Sequence, residues 1–434
     1  MIVLFSLFGI FILGLNLLRN VRCGKYINIV NIVSIIAILD LYLPAIIGAL
    51  SGEYFTLPYI APLNDSEVLT TVIVADFAYG LMLFAYSFYK PKSRKYQKFG
   101  NTIVYIKRVK FIFLVSVFIY VLNLFFEFKS FGGWTEFYTF KLTRAYAVTA
   151  EPQGVLARMV AILSETTFII MLMMFSIMLT YKDKIPKKEF IKFLVLIICI
   201  CIFSLSRGTI IGVFISIIAT YEYNANLFIG GLSRDFKNKV KKFVIIGACA
   251  FLLFGGLRNA LQNTFFQEES TSISENIMKA ANNTLGNSLI ALTRTIRYVD
   301  SGKPLFEGQS YLEMSLSLIP RTILPNKPQL YGVQTLSMAN GSPESTMDAI
   351  TIPGEILMNF GYIGLILMIF WGMIFKFFDS FRYKARMKYF LSAAVFTLST
   401  TCCWMSFTGF FAQTKYLIIY YVVLSLVLKY RKQI

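Results

Sequence analysis

Long apolar runs recur along this chain, and they constrain its fold more than any other feature. The first is MIVLFSLFGIFILGLNLL, residues 1–18. About 18 apolar residues coiled as an α-helix cross the hydrocarbon core of a bilayer. Hydropathy divides the sequence into about eleven such spans, at roughly 1–18, 27–50, 68–89, 111–126, 158–181, 193–206, 209–222, 243–259, 354–375, 389–407 and 416–428. Only 15% of the residues are charged, against roughly 25% in a soluble protein. The expected fold class is an all-α polytopic membrane protein, one integral-membrane domain over 1–434. One long, partly helical outer loop, 258–353, separates helices 8 and 9.

The formal charge of +19 would suit nucleic acid, but its distribution argues otherwise. The alternate connections 19–26, 90–110, 182–192, 223–242 and 376–388, with the tail 429–434, hold 29 of the 42 Lys and Arg, leaving 13 for the other side. Basic residues stay on the cytoplasmic side of a membrane. The asymmetry therefore predicts an outer N-terminus, a cytoplasmic C-terminus and no nucleic-acid partner. The first run lacks a basic leader and is followed by RNVRCGK, so it is expected to be a span rather than a signal peptide.

Cys23 falls on the cytoplasmic side, and Cys199, Cys201, Cys249, Cys402 and Cys403 fall in spans. The outer loops have none, so no disulfide framework is expected, and Cys402–Cys403 reads as helix packing. The chain contains no histidine. That excludes histidine general bases, histidine-ligated zinc and Ser-His-Asp triads. Neither a phosphate-cradling GxxxxGK nor a GxGxxG occurs, and no Asp-x-Asp pair is present. Catalysis would need carboxylate bases and Arg or Lys as electrostatic stabilisers, with no cofactor and no metal.

The long loop carries its own pattern. Ile277, Ala281, Leu285, Leu289, Leu292, Ile296 and Val299 recur at spacings of three and four. They predict an amphipathic helix over 274–300. A second short helix is expected from Tyr311 to Ile319, stopped by Pro320. Pro320, Pro325 and Pro328 then hold an extended segment. The polar stretch 331–348 reads as a mobile lid.

Several cations call for an explanation. Arg207 lies in FSLSRGTIIG, between two spans. It either pairs with Asp40, Asp76 or Glu165, or meets an anion from a tight outer turn. Arg258 either snorkels to headgroups or joins that anion site. Arg294 and Arg297, three residues apart, share a helix face that is either solvated or anion-binding. Arg321 and Lys327 are fixed among prolines and suit a phosphate group. Among the acids, Glu355, Glu313 and Asp348 are the candidate bases. Glu355 would equally suit a helix N-terminus as a dipole-stabilising acid.

The stretches GQSYLEMSLSLIPRTILPNKP and TIPGEILMNFGYIG, with Ser206-Arg207-Gly208 between two earlier spans, resemble the Wzy family of O-antigen and oligosaccharide repeat-unit polymerases. The close match covers about 308–364 and 204–212. The related O-antigen ligases commonly carry a histidine in their large loop, which this chain lacks. The resemblance implies a bacterial inner-membrane glycosyltransferase of lipopolysaccharide-type polysaccharide biosynthesis. Its donor and acceptor would be undecaprenyl-pyrophosphate-linked oligosaccharides on the outer leaflet. Arg207, Arg258, Arg294, Arg297, Arg321 and Lys327 would hold the departing pyrophosphate. A carboxylate would deprotonate the acceptor hydroxyl, and Trp134, Tyr138 and Tyr331 would stack on sugars. The family also implies a chain-length-regulating co-polymerase as partner. Two other classes fit the composition. One is a polyprenyl-phosphate-sugar glycosyltransferase with Glu53 as base; the other is a flippase or transporter of lipid-linked oligosaccharide.

Overall fold

The computed structural model describes residues 1–23, 28–54, 62–89, 102–130, 155–203, 286–317, 350–381 and 417–430, together with 133, 137, 213 and 214. In chain order these form α1 (Ile2–Arg22), α2 (Ile29–Ala37), a π-turn (Ile38–Tyr42), α3 (Leu43–Ser51) and α4 (Asp65–Phe88). Then come β1 (Thr102–Val104), α5 (Ile106–Ser130), α6 (Val155–Thr180), a 3₁₀ turn (Lys182–Lys184) and α7 (Lys187–Phe203). The remainder are α8 (Asn287–Asp300), α9 (Gln309–Ser317), α10 (Ile352–Phe360), a 3₁₀ segment (Tyr362–Leu367), α11 (Met368–Phe381), α12 (Leu417–Val427) and β2 (Leu428–Tyr430). Apart from the β1–β2 ribbon, the regular structure among the described residues is helical.

Five helical stretches among the described residues are long and apolar enough to cross a membrane: Ile2–Arg22, Ile29–Ser51, Asp65–Phe88, Ile106–Ser130 and Tyr362–Ser380. At about 1.5 Å per residue each approximates or exceeds the ~30 Å hydrocarbon thickness. They point large apolar side chains outward, among them Phe8, Phe11, Phe77, Phe84, Phe111 and Phe118. In water such surfaces would be costly; in lipid they are satisfied. Thr166–Thr180 is a shorter apolar helix. The expected spans 243–259 and 389–407 lie outside the described residues, as does 209–222 except for Val213 and Phe214.

Two compact units emerge. One comprises Met1–Ser93, Asn282–Ser380 and Thr397–Leu417. In it α1 lies along α4, with Gly9 at the crossing, where any side chain would strike Asp76 and the Tyr42 ring. Gly372 of α11 does the same against α4, because a Cβ there would fall 2.9 Å from that of Ala85. Asp379, near the end of α11, accepts the Ile29 N–H at 3.0 Å and the Tyr86 hydroxyl at 2.9 Å. It thereby binds the first turn of α2 to the last turn of α4. The other unit comprises Arg94–Ala281, Phe381–Phe396 and Ile418–Ile434. There α5 runs along α6, and Lys110 donates to Glu189 of α7 at 2.5 Å. β1 pairs antiparallel with β2, Thr102 opposite Tyr430 and Val104 opposite Leu428. Arg108 donates to the Leu426 carbonyl at 3.0 Å while lying over the Tyr105 ring.

Of the boundaries that differ from the sequence expectation, three bear on the elements around the site. The third span begins at Asp65 rather than 68, because Asn64 and Glu67 form a reciprocal capping box that starts the helix early. The amphipathic helix is described only from Asn287, preceded by Gly286 at φ 104°, and 274–285 lie outside the described residues. The ninth span does not run unbroken from 354. Gly361 at φ 63° ends α10, and the membrane-length stretch begins at Tyr362. Hydropathy misses this break because a backbone dihedral leaves no trace in side-chain polarity.

Candidate functional site

Helix α8 organises the site. Its residues Ser288–Ile296 are all buried, including Arg294, which is only 6% exposed. Arg294 is therefore withdrawn from solvent, since α4, α10 and the π-turn pack around the helix, while Arg297 stays about one-quarter exposed. The apolar periodicity is the same whether water or another helix faces the polar stripe.

Asp40 holds the inner end of α8. One carboxylate oxygen accepts the N–H groups of Gly286 at 2.9 Å and Asn287 at 3.1 Å. The other accepts the Ser288 N–H at 2.9 Å and the Ser288 hydroxyl at 2.5 Å. These are the donors a helix leaves unpaired at its start, and a carboxylate satisfies both their hydrogen bonds and the positive end of the dipole. The π-turn sets Asp40 midway along Ile29–Ser51, so α8 begins beside the middle of that apolar stretch. Further along, Thr293 and Thr71 share a hydroxyl hydrogen bond of 2.9 Å. At the far end Arg297 donates through Nε and Nη2 to the two carboxylate oxygens of Glu67, and through Nη2 to the Pro62 carbonyl at 2.6 Å. Helix α8 thus runs antiparallel to the first half of α4.

Helix α10 lies against the opposite side of α8. Thr351 caps it by accepting the Gly354 N–H at 3.1 Å, with Pro353 in the first turn. Gly354 permits the close crossing, since a Cβ there would sit 3.2 Å from the Thr295 hydroxyl. The next residue, Glu355, is 1% exposed. The Ser310 hydroxyl lies 3.4 Å from Glu355 Oε1, and the Asn359 amide donates to Ser310 Oγ at 2.9 Å and to the Glu355 carbonyl at 2.8 Å. The turn before α9 is strapped on by main-chain bonds from Phe306 to Met358 and from Glu307 to Asn359, each 3.0 Å. Gly308 N–H donates to Asn359 Oδ1 at 3.0 Å. Burial, reinforced by the charge of Glu355, pushes the Tyr311 phenol far above its ordinary range.

Of the candidates named from sequence, the structure brings Arg294 and Glu355 onto one packed helix pair, α8 with α10. Arg297 lies on the same helix but is bound to Glu67. Glu313 is on α9, its side chain outside the described set. Arg207, Arg258, Arg321, Lys327, Asp348, Trp134, Tyr138 and Tyr331 lie outside the described residues. Of the acids considered as partners for Arg207, Asp40 caps α8 and Asp76 accepts the Tyr42 hydroxyl at 2.8 Å. Glu53 is exposed at the end of α3. Ser310, Asn359 and Tyr311 were not anticipated, although all three lie inside the motif stretches.

Chemically, the arrangement offers a carboxylate withdrawn from water, a hydroxyl that faces it, an amide that holds that hydroxyl, and a guanidinium on the adjoining helix. Such a carboxylate can take a proton from a hydroxyl, and the guanidinium can meet phosphate or carboxylate with a two-pronged fork. Among the described residues no group of three His, Cys, Asp or Glu side chains is arranged to hold a metal. No known protein family, no curated protein and no solved structure matches the chain.

Proposed function

We propose that this chain is a membrane-embedded glycosyltransferase of Wzy type. It joins undecaprenyl-pyrophosphate-linked oligosaccharide repeat units into polysaccharide on the outer face of a bacterial cytoplasmic membrane. In this reading about eleven helices span the bilayer, the N-terminus is outside and the C-terminus is cytoplasmic. The observation that carries the reading is the burial of Arg294 and Glu355 on the packed pair α8 and α10, within a chain of membrane-length apolar helices. An arginine and a glutamate withdrawn from water in such a chain mark a functional site by default. In this reading Pro62, Glu67 and Arg297 join outer segments, whereas Ile29, Tyr86 and Asp379 join cytoplasmic ones.

In mechanism, Arg294 together with Arg207, Arg258, Arg321 and Lys327 stabilises the departing pyrophosphate. Glu355 accepts the proton of the acceptor hydroxyl as that oxygen attacks the anomeric carbon. The bond from sugar to pyrophosphate breaks, and the leaving group carries its electron pair away. Ser310 and Asn359 orient the base. The test is purified protein in liposomes with lipid-linked repeat units, read as a ladder on a gel. The wild-type chain gives a ladder, and Glu355→Gln and Arg294→Lys give single units only. A normal ladder from both variants rejects the assignment.

A second reading is a transporter of lipid-linked oligosaccharide. It is favoured by one observation, that α8 begins beside Asp40, midway along Ile29–Ser51, since transporters build sites on half-length helices near the bilayer midplane. Loss of a transporter strands repeat units on the inner leaflet, whereas loss of a polymerase leaves them singly displayed outside.

A further inference from the structure

The turn between α8 and α9 has two characters. Its first part is polar: Asp300 accepts the Tyr362 hydroxyl at 2.8 Å, and the Lys303 ammonium lies 5.3 Å from the Tyr298 ring centre. Its second part leaves Leu305 exposed, and α9 adds Leu312, 61% exposed beside the buried Ser310, with the exposed Glu307 and Gln309 between them. The two leucines adjoin the start of a membrane-length apolar helix. A Cβ on Gly361 would lie 3.5 Å from Leu305, and one on Gly308 would lie 3.4 Å from Phe360. Phe360 and Tyr311 stand ring to ring at 5.9 Å. From Gly361 the chain enters Tyr362–Ser380, whose outward stripe is Ile363, at 89% exposed, then Ile366, Phe370 and Phe377. Those spacings of three, four and seven trace one face of a membrane-length helix. Leu305, beside Gly361, extends the apolar surface past the start of that helix.

We propose that residues 305–312 lie at the bilayer interface, with Leu305 and Leu312 among acyl chains and Lys303, Glu307 and Gln309 at the headgroups, rather than forming part of an aqueous loop. The occupant of this surface is membrane lipid. Continuity with the Ile363–Phe377 stripe argues for it. So does the order along the chain, where Lys303 and the Tyr362–Asp300 pair precede Leu305 and polar Glu307 and Gln309 alternate with the leucines, as at a headgroup boundary. The insertion brings the buried Glu355, Ser310 and Asn359 to the lipid boundary, within reach of a polar group carried on a lipid anchor. It holds whether the chain transfers sugars or transports them.

The experiment uses the full chain with its six cysteines replaced, reconstituted in phosphatidylcholine–phosphatidylglycerol liposomes. Single nitroxide labels are placed through Lys303→Cys, Leu305→Cys, Leu312→Cys and Ile363→Cys. The expected result is a severalfold excess of oxygen over nickel-chelate collisions at 305, 312 and 363, and the reverse at 303. Labels at 305 and 312 that collide with the nickel chelate as freely as the one at 303 overturn the proposal. A second measurement retains the native cysteines. Leu305→Trp and Leu312→Trp are compared with the parent chain in vesicles of brominated phosphatidylcholine. Added fluorescence that the bromines quench supports insertion, and added fluorescence that they leave unquenched overturns it.

Discussion

Arg297 at the end of α8 grips both carboxylate oxygens of Glu67, the same residue that closes the capping box at the start of α4. One glutamate therefore begins one helix and ends another. Both side chains are about one-quarter exposed, so the pair is screened only in part. Arg297→Ala is expected to cost ~1–2 kcal/mol and to lower the thermal midpoint in detergent. Glu67→Ala should cost a similar amount, and the double variant less than the sum of the two. Strict additivity would show that the two residues do not act together.

Asp40 satisfies three backbone N–H groups and one hydroxyl at the inner end of α8. Asp40→Ala leaves those donors buried without it, so a loss of ~2–4 kcal/mol is expected. Ser288→Ala removes one of the four bonds and should cost ~1 kcal/mol. Thermal unfolding of the two variants checks the ranking, which a merely lipid-facing Asp40 would not produce.

Gly354 gives α8 and α10 their close crossing. Gly354→Ala places a methyl 3.0 Å from the Thr351 hydroxyl and 3.2 Å from that of Thr295. Overpacking of this kind costs ~1–3 kcal/mol. Adding Thr295→Ala should recover part of the loss, and a double variant no more stable than Gly354→Ala would refute the proposed clash.

Glu355→Gln keeps the side-chain shape and an oxygen for Ser310 to donate to, but it no longer accepts a proton. The expected outcome is a protein that folds and melts near the parent while product formation falls ~10²–10⁴-fold. The two readouts, thermal midpoint and ladder on a gel, separate loss of chemistry from loss of structure.

The sequence makes the apolar helices legible because lipid imposes a requirement that composition alone records. The run at 27–50 becomes Ile29–Ser51, and that at 68–89 becomes Asp65–Phe88. The burial of α8 is another matter. Its periodicity marks one apolar face, but nothing in it distinguishes water from a neighbouring helix on the other. Asp40 was weighed as a partner for Arg207 because side chains invite pairing with side chains. Its described partners are mainly backbone amides, which every residue but proline carries and which leave no sequence mark. Glu355 was legible as a candidate base from its place in TIPGEILMNFGYIG. The residues that orient it, Ser310 and Asn359, become visible only once α9 and α10 meet.

The short ribbon of Thr102–Val104 with Leu428–Tyr430 has a consequence for biosynthesis. Insertion into a bilayer proceeds segment by segment, yet β1 has no partner until the residues of β2 have been made. Until then its N–H and C=O groups are open to foreign strands. The ribbon therefore acts as a fastening that closes only after the helices between its two strands have been made.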